Sequence, residues 1–547
     1  MKEVFKKNGG SFVTQAAILA AAGLFVRILG FACRVPLTNN LLGDAGNSIY
    51  GTAYSLYNFF FVLSSAGMPA AVSKMVAERH SVGQHREAHR VFKLSMLFGC
   101  TMGLLCMLLM FFCASPVLTM MDNPRGLLSV QILVPSILIV SVMSVYRGYF
   151  QGMGSTVPTA ISQIIEGIFN TLFSLLLAYL WMQSTTDVDQ KLVHGAAGAT
   201  AGTTISTGVG LLVMIGFYFL LKPRIMKGIK HSPKEQDPIS ARDLMKEILR
   251  ITFPIIAGTA IMTISNLIDI GMVMRRLGTV GLWTKDEIES MNGILQGKVF
   301  TITTLPVSIS TALATAVIPS IAASAAKKQH GEVKKKINMS FRVAMLISMP
   351  SAVGIFVLAD PILRLLFSNV PAGGAVLQVG AISIIFLALT QIVTGTLQGI
   401  GKVKIPMIGV LLGVGVKIIV NYFLLAVPSI NIMGAVIGTI CCYIVAGAFD
   451  WYMLVKHTKT KPDFMGILVK PLIAAVVMGL AVYVVYYLIY YLLPSNAIAT
   501  LMSIVVGIVV YFVYMIVLGG LKRDDIVVLP GGKKLATMME RRGMLAE

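Results

Sequence analysis

Apolar residues run along this chain in long blocks separated by short polar stretches. About twenty mainly apolar residues cross the hydrocarbon layer of a bilayer. By that measure fourteen blocks lie near 12–37, 45–73, 94–115, 127–150, 157–181, 195–221, 250–276, 292–325, 338–359, 373–398, 405–427, 432–455, 467–493 and 496–519. Backbone groups in hydrocarbon must be paired within the segment, so each block is predicted to be helical and no strand architecture competes. The pattern predicts an all-α polytopic membrane protein with 14 transmembrane helices.

The blocks also repeat. Gly148-Tyr-Phe-Gln151-Gly152-Met-Gly154, followed by Pro158, Glu166 and Asn170, is echoed by Gly395-Thr-Leu-Gln398-Gly399-Ile-Gly401, Pro406, Lys417 and Asn421. Ala66-Gly-Met-Pro69-Ala-Ala-Val-Ser73 is answered by the run from Thr315 through Pro319 to Ser324. The offsets are 250 for the prolines, 247 for the glutamines and 251 for the asparagines. Corresponding landmarks lie six spans apart. Six is even, so the two six-helix lobes share one orientation about an axis along the membrane normal. The predicted organisation is an N-terminal lobe over 1–221, a linker over 222–250, a C-terminal lobe over 251–455, and two further helices with a basic tail over 456–547. In the linker Ser240-Ala-Arg-Asp243 reads as a helix start with Ile239 and Leu244 as a staple. A short surface helix is predicted from 241, running into the seventh span and bent near Pro254.

Composition narrows the class. With 56% hydrophobic and 13% charged residues the chain is far from the soluble range. The net charge of +21 would suggest nucleic acid in a soluble protein. Here the charge follows topology instead. With the N-terminus inside, the inner loops and tails take 34 basic residues, and the outer loops take six: Arg125, Lys191, Arg275, Arg276, Lys285 and Arg364. That asymmetry predicts an even number of spans with both termini cytoplasmic. All six cysteines lie inside apolar blocks, which argues against structural disulfides. The N-terminal segment precedes a span too long for a signal-peptide core and shows no clear cleavage site, so it is expected to remain in the mature protein.

Charges at bilayer depth cost about 2.5–3.5 kcal/mol and therefore face water or a partner. Arg27 and Arg34 of the first span are seven residues apart, on one face and roughly 10 Å apart along the axis. Gly23 and Gly30 share their stripe and remove bulk beside them. Glu166 in the fifth span, Asp269 in the seventh, Lys298 at the start of the eighth and Lys417 in the eleventh complete the deep set. Four positive groups against two negative suit an anionic solute, and arginine fits phosphate oxygens with two parallel donors. Blander readings exist: Arg34 snorkelling, Lys298 in the outer loop, and Glu166 bridging to Lys417. Arg147 and Asp450 read as inner-interface residues and are left out of the site.

Enzymatic signals are weak. The seven histidines fall in or beside loops, where a solvated face accounts for them. Asp187-Val-Asp189 has too little around it for a metal site, and Pro530-Gly-Gly-Lys-Lys lacks P-loop spacing. The aromatic run from Tyr483 to Tyr491 reads as lipid-facing or packing surface. The chain is read as a transporter, not an enzyme, with no cofactor apart from sodium or proton coupling.

Two six-span lobes, two extra C-terminal spans and the Thr-Leu-Pro306-Val-Ser to Pro319 run after Asn292-Gly-Ile-Leu resemble the polysaccharide-transporter branch of the multidrug/oligosaccharidyl-lipid/polysaccharide (MOP) exporter superfamily. The resemblance spans essentially the whole chain and is strongest to the SpoVB and YtgP/MurJ-type proteins of Gram-positive bacteria. It implies a MATE/MurJ-like fold and an alternating-access flippase for undecaprenyl-pyrophosphate-linked saccharides, with the peptidoglycan precursor lipid II first among them. It also implies partners: the lipid-linked saccharide, membrane lipids and the cell-wall synthesis machinery around a monomer, with no nucleic acid. Arg27, Arg34 and Lys298 would then contact the pyrophosphate, with Glu166 in the same cavity. Asp269, Lys417 and Asn421 would form the coupling group. In some MurJ-type members an acidic residue of the seventh span and an Asn/Asp pair of the eleventh hold sodium; here Lys417 would stand in its place.

Competing readings are a flippase for a teichoic-acid, capsule or spore-cortex precursor, and a drug/cation antiporter on the same scaffold, which would need a net acidic cavity. A membrane polymerase would need a long outer loop with carboxylates. A scaffold of the division or sporulation machinery is the third class.

Overall fold

The computed structural model describes residues 12–232, 240–315, 321, 324, 329–402, 404–459, 463–523, 525, 537, 538 and 540. The chain forms two compact units, Met1–Arg275 and Arg276–Glu547. Twelve helical stretches among the described residues are long and apolar enough to cross a membrane. The first of them, Ala21–Ser81, is 61 residues long, far beyond the roughly 20 residues of one crossing, and holds most of the first apolar block and all of the second. The eighth block is described only in part and stands outside the twelve. The architecture is thus the all-helical, fourteen-segment one that the hydrophobic pattern predicts.

In the first unit α1 (Phe12–Pro36) runs through a π-helical stretch, Leu37–Leu42, into α2 (Gly43–Ser65). The break is at Gly43, whose φ of +61° lies outside the right-handed helical region. Then follow α3 (Met68–Ser81), α4 (His85–Met120), α5 (Leu127–Gly152), α6 (Val157–Met182), α7 (Val188–His231) and all but the last turn of α8 (Ala241–Val280). The small-residue run Gly195 to Gly202 lets α7 meet α6 backbone to backbone. A Cβ on Gly198 would overlap the Leu177 carbonyl, and one on Gly202 the Ser174 amide. The linker helix and the seventh span are one continuous α8, with Pro254 inside it. It starts at Ala241, where the sequence places a helix start, with the Arg242 amide donating to Ser240 Oγ at 3.3 Å. The proposed staple partner Ile239 lies outside the described residues, while Leu244 and Ile248 bury themselves against Met68, Val72 and Val91.

The second unit contains α9 (Lys285–Gly293), a π-helical stretch Ile294–Val299, α10 (Phe300–Thr315), α11 (His330–Val357), α12 (Ala359–Leu366), α13 (Gly374–Gly399), α14 (Lys404–Leu424), α15 (Met433–Thr458), α16 (Lys470–Leu492) and α17 (Asn496–Val517). One core joins Phe341, Met345 and Met349 of α11 to Ile384 and Ile392 of α13, Met478 of α16 and Tyr511 of α17. The last two helices therefore pack onto this unit. Tyr483, Tyr487 and Tyr491 are exposed, as the sequence suggested, but Tyr486 is buried and bonds Asn496 at 2.9 Å.

The internal repeat is visible in hydrogen bonds. After α5, Gly154 takes φ +84°, its amide bonds Gln151 O at 3.0 Å, and the Ser155 amide reaches Phe150 O at 3.1 Å. After α13, Gly401 takes φ +80°, bonding Gln398 O at 3.0 Å, with Lys402 reaching Leu397 O at 2.8 Å. Both are the Schellman ending of a helix, which needs a left-handed residue at this position and so selects glycine.

Candidate functional site

The site is built on α1 and the α5–α6 hairpin of the first unit. Three stripes divide α1. Ala22, Val26, Leu29 and Cys33 form one stripe; Ala22 and Cys33 are buried, and Val26 and Leu29 meet Gly167 of α6. Ala21, Phe25, Ile28 and Ala32 form an exposed apolar stripe. Gly23, Arg27, Gly30 and Arg34 form the third. At 3.6 residues per turn the apolar and the Gly/Arg stripes lie about 160° apart. The side suited to acyl chains and the side carrying guanidinium groups are therefore different sides of one helix. Arg27 is exposed, and a Cβ at Gly23 or Gly30 would meet nothing within 4 Å. Tight packing does not require these glycines; they leave space beside the guanidinium groups.

Arg34 is partly buried, and its guanidinium lies 4.5 Å from the centroid of the Tyr50 ring on α2. Its Nε is buried without a hydrogen-bond partner among the described residues. Tyr50 begins an aromatic ladder up one face of α2. Tyr50 and Tyr54 stack at 5.8 Å, Tyr54 and Tyr57 meet at 5.6 Å, and Tyr57 and Phe61 at 5.9 Å. Through Tyr50, the Arg34 guanidinium of α1 therefore sits at the start of the aromatic face of α2.

Glu166 has a partner the sequence reading had set aside. Arg147 of α5 donates to the Glu166 carboxylate at 2.7 Å and to Ser162 Oγ at 2.9 Å. It is an interior residue of the hairpin, which corrects its assignment as an interface anchor. The signal was present in the numbering. In an antiparallel hairpin, residues equidistant from the turn face one another, and 147 and 166 straddle the turn near 156. Lower in the same hairpin, Gln151 donates to Thr159 at 3.4 Å. Asn170 accepts from Ser174 at 2.9 Å and Thr203 at 3.2 Å.

The second unit keeps the hairpin and changes its charges. Thr394 stands at the echo of Arg147 and donates to Asp450 at 3.2 Å. Asp450 is fully buried, not an interface residue as its neighbour Trp451 had suggested. It fits because Gly409 has no side chain to overlap its carboxyl. Lys417 and Asn421 are both buried on α14, one turn apart, with Gly438 of α15 making room for the Asn421 amide. Asp269 is buried on α8 of the first unit.

Lys298 is fully buried in the π-helical stretch. Its ammonium donates to the carbonyls of Val370 and, at 3.1 Å, Ala372, and it sits 5.7 Å from the Phe367 ring centroid. In this arrangement its charge holds the 367–372 loop. Asp187 caps α7 by accepting from the Asp189 amide at 3.0 Å, and Asp189 pairs with Arg125 at 3.5 Å. Among the described residues no group of three or more His, Cys, Asp or Glu could hold a metal.

Known proteins with this organisation share its length and its fold. A family model described as polysaccharide biosynthesis protein matches residues 12–325, and a MatE model matches 296–423. The uncharacterized membrane protein YabM of Bacillus subtilis (strain 168) is 26% identical over 541 residues, covering 96% of each chain. The lipid II flippase MurJ of the same organism is 25% identical over 498 residues, covering 87% of this chain and 88% of its own. A solved structure of lipid II flippase MurJ, inward closed, superposes with a TM-score of 0.65 at 16% identity over 92% of this chain and 98% of that one. With more than half of its length matched by one family model, this multi-pass membrane protein belongs to the polysaccharide biosynthesis protein family, within the MOP superfamily.

Proposed function

We propose that this protein is a flippase which carries an undecaprenyl-pyrophosphate-linked saccharide, the peptidoglycan precursor lipid II, from the inner to the outer leaflet by alternating access, with both termini in the cytoplasm. The observation that carries the reading is the division of α1, with Arg27 and Arg34 on a stripe turned away from the apolar one. A sugar pyrophosphate crossing hydrocarbon must exchange its hydration for fixed donors. Guanidinium groups supply paired donors matched to phosphate oxygens, and Tyr50 and Tyr54 offer ring faces and hydroxyls beside them. The lipid II flippase among its relatives supports the choice of substrate.

Coupling belongs in this reading to the buried Lys417 and Asn421 of α14. The Lys417 ammonium takes the place of a cation, so transport does not depend on sodium. A steep rise of transport with sodium that survives Lys417→Ala would remove this assignment.

The MatE match over 296–423 favours a second reading, a drug/cation antiporter. The positive surplus of the polar stripe opposes a cationic substrate, and a dye-efflux assay separates the two. The main test is expression in cells depleted of their own lipid II flippase. The wild-type protein should restore surface exposure of lipid II and growth, and a correctly inserted Arg27→Ala should not. Insertion without rescue by the wild type would contradict lipid II as substrate.

A further inference from the structure

Outside the polar stripe, the first unit has an open cavity of about 270 Å³ lined by the end of α3, the start of α4, the end of α5 and the end of α7. Its polar lining includes His80, His85 and Arg224, and its apolar lining Met153, Leu221 and Ile225. The Nδ1 atoms of His80 and His85 lie 3.0 Å apart. One of them must donate and the other accept. The accepting ring then carries its proton on Nε2, so the pair presents at least one further N–H donor whatever the tautomer. Arg224 is exposed and forms no ion pair among the described residues. Close by in the chain, Ser232 after α7 donates to Gly83 O in the α3–α4 turn at 3.1 Å, tying the two elements together.

Three observations indicate what fits. The surrounding turns of α4 and α7 carry Arg86, Arg90, Lys93, Lys222, Lys227 and Lys230 against Glu87, whose carboxylate is paired with Arg90 at 3.5 Å. The ligand is therefore anionic. One wall is apolar, so the ligand is an amphiphile rather than a free ion. The apolar blocks end at 73 and 221 and resume at 94, which places residues 80–89 and 221–229 just beyond the hydrocarbon, at headgroup depth. We propose that this cavity binds the phosphate headgroup of an anionic phospholipid, held by the His80–His85 pair and Arg224, with its glycerol and first acyl carbons against Met153, Leu221 and Ile225.

The test uses the purified full-length protein, stripped of lipid in detergent and titrated with phosphatidylglycerol, phosphatidylcholine or inorganic phosphate under native mass spectrometry. Phosphatidylglycerol should be retained about fivefold or more over phosphatidylcholine, and Arg224→Ala should lose about that factor, the worth of one cationic contact at a lipid surface. His85→Ala should weaken retention likewise. Arg224→Lys should keep most of it, and inorganic phosphate should not displace the lipid. Arg224 is exposed, so its variants test the site even if His85→Ala fails to fold. Equal retention of the two lipids, or unchanged retention by Arg224→Ala, would overturn the proposal. Displacement by inorganic phosphate at matched concentration would also overturn it, by showing a small-anion site. None of these outcomes bears on the flippase reading.

Discussion

Arg147 donates a 2.7 Å hydrogen bond to the carboxylate of Glu166, closing the α5–α6 hairpin. The two side chains are only 16% and 25% exposed. Glu166→Ala would thus leave a poorly solvated guanidinium unpaired, at a cost of about 2 kcal/mol. A lowered thermal midpoint in detergent and loss of rescue are expected for Glu166→Ala. The exchange variant Arg147→Glu with Glu166→Arg should recover much of the midpoint. Recovery of transport as well would mean that the pair is structural and that its polarity does not matter to the substrate.

The open glycines of α1 allow a test that separates folding from transport. A Cβ at Gly23 or Gly30 would meet nothing within 4 Å, and replacing glycine within a helix gains up to about 1 kcal/mol in propensity. Gly30→Leu should therefore insert normally and keep its thermal midpoint, yet lose most transport by filling the space between the two arginines. By contrast, Gly202→Ala should misfold, because its Cβ overlaps the Ser174 backbone. A fully active Gly30→Leu would detach this stripe from the substrate path.

Arg34 tests geometry against charge. Lysine keeps the charge and loses the planar, paired donors, so Arg34→Lys should lower transport about tenfold, one lost donor pair, while Tyr50→Phe, which retains the ring under the guanidinium, should lower it less. Equal activity of Arg34→Lys and wild type in a proteoliposome assay would argue for a diffuse positive field instead of a phosphate clamp.

Lys298 is expected to act through its loop. Lys298→Met removes the hydrogen bonds to the Val370 and Ala372 carbonyls, which lie in a half-buried to exposed loop where water can replace the donor, at about 0.5–1.5 kcal/mol. The thermal midpoint should fall, and limited proteolysis should shift toward the Phe367–Gly373 segment. An unchanged midpoint with lost substrate binding would return Lys298 to the pyrophosphate.

The helices were legible because hydrocarbon leaves the backbone no alternative, and the repeat because glycine is required at each Schellman ending. Both signals are local. The stripes of α1 were readable as well, since Arg27 and Arg34 are seven residues apart. Arg147 was misread because its role depends on the residue across a turn, and Asp450 because its burial depends on Gly409 of another helix. The aromatic ladder was missed although the spacing of Tyr50, Tyr54, Tyr57 and Phe61 is helical; nothing local distinguishes such a stripe from core. Lys298 shows the same limit, because the carbonyls that hold it lie more than seventy residues away in the chain.

The most direct measurement of whether the Gly/Arg stripe of α1 faces water is cysteine labelling in membranes. In a background lacking the six native cysteines, Gly23→Cys, Arg27→Cys and Gly30→Cys should react with a membrane-impermeant thiol reagent, while Phe25→Cys and Ile28→Cys should not. Labelling of 25 and 28 with protection of 23, 27 and 30 would place the guanidinium groups in the acyl chains and contradict the account.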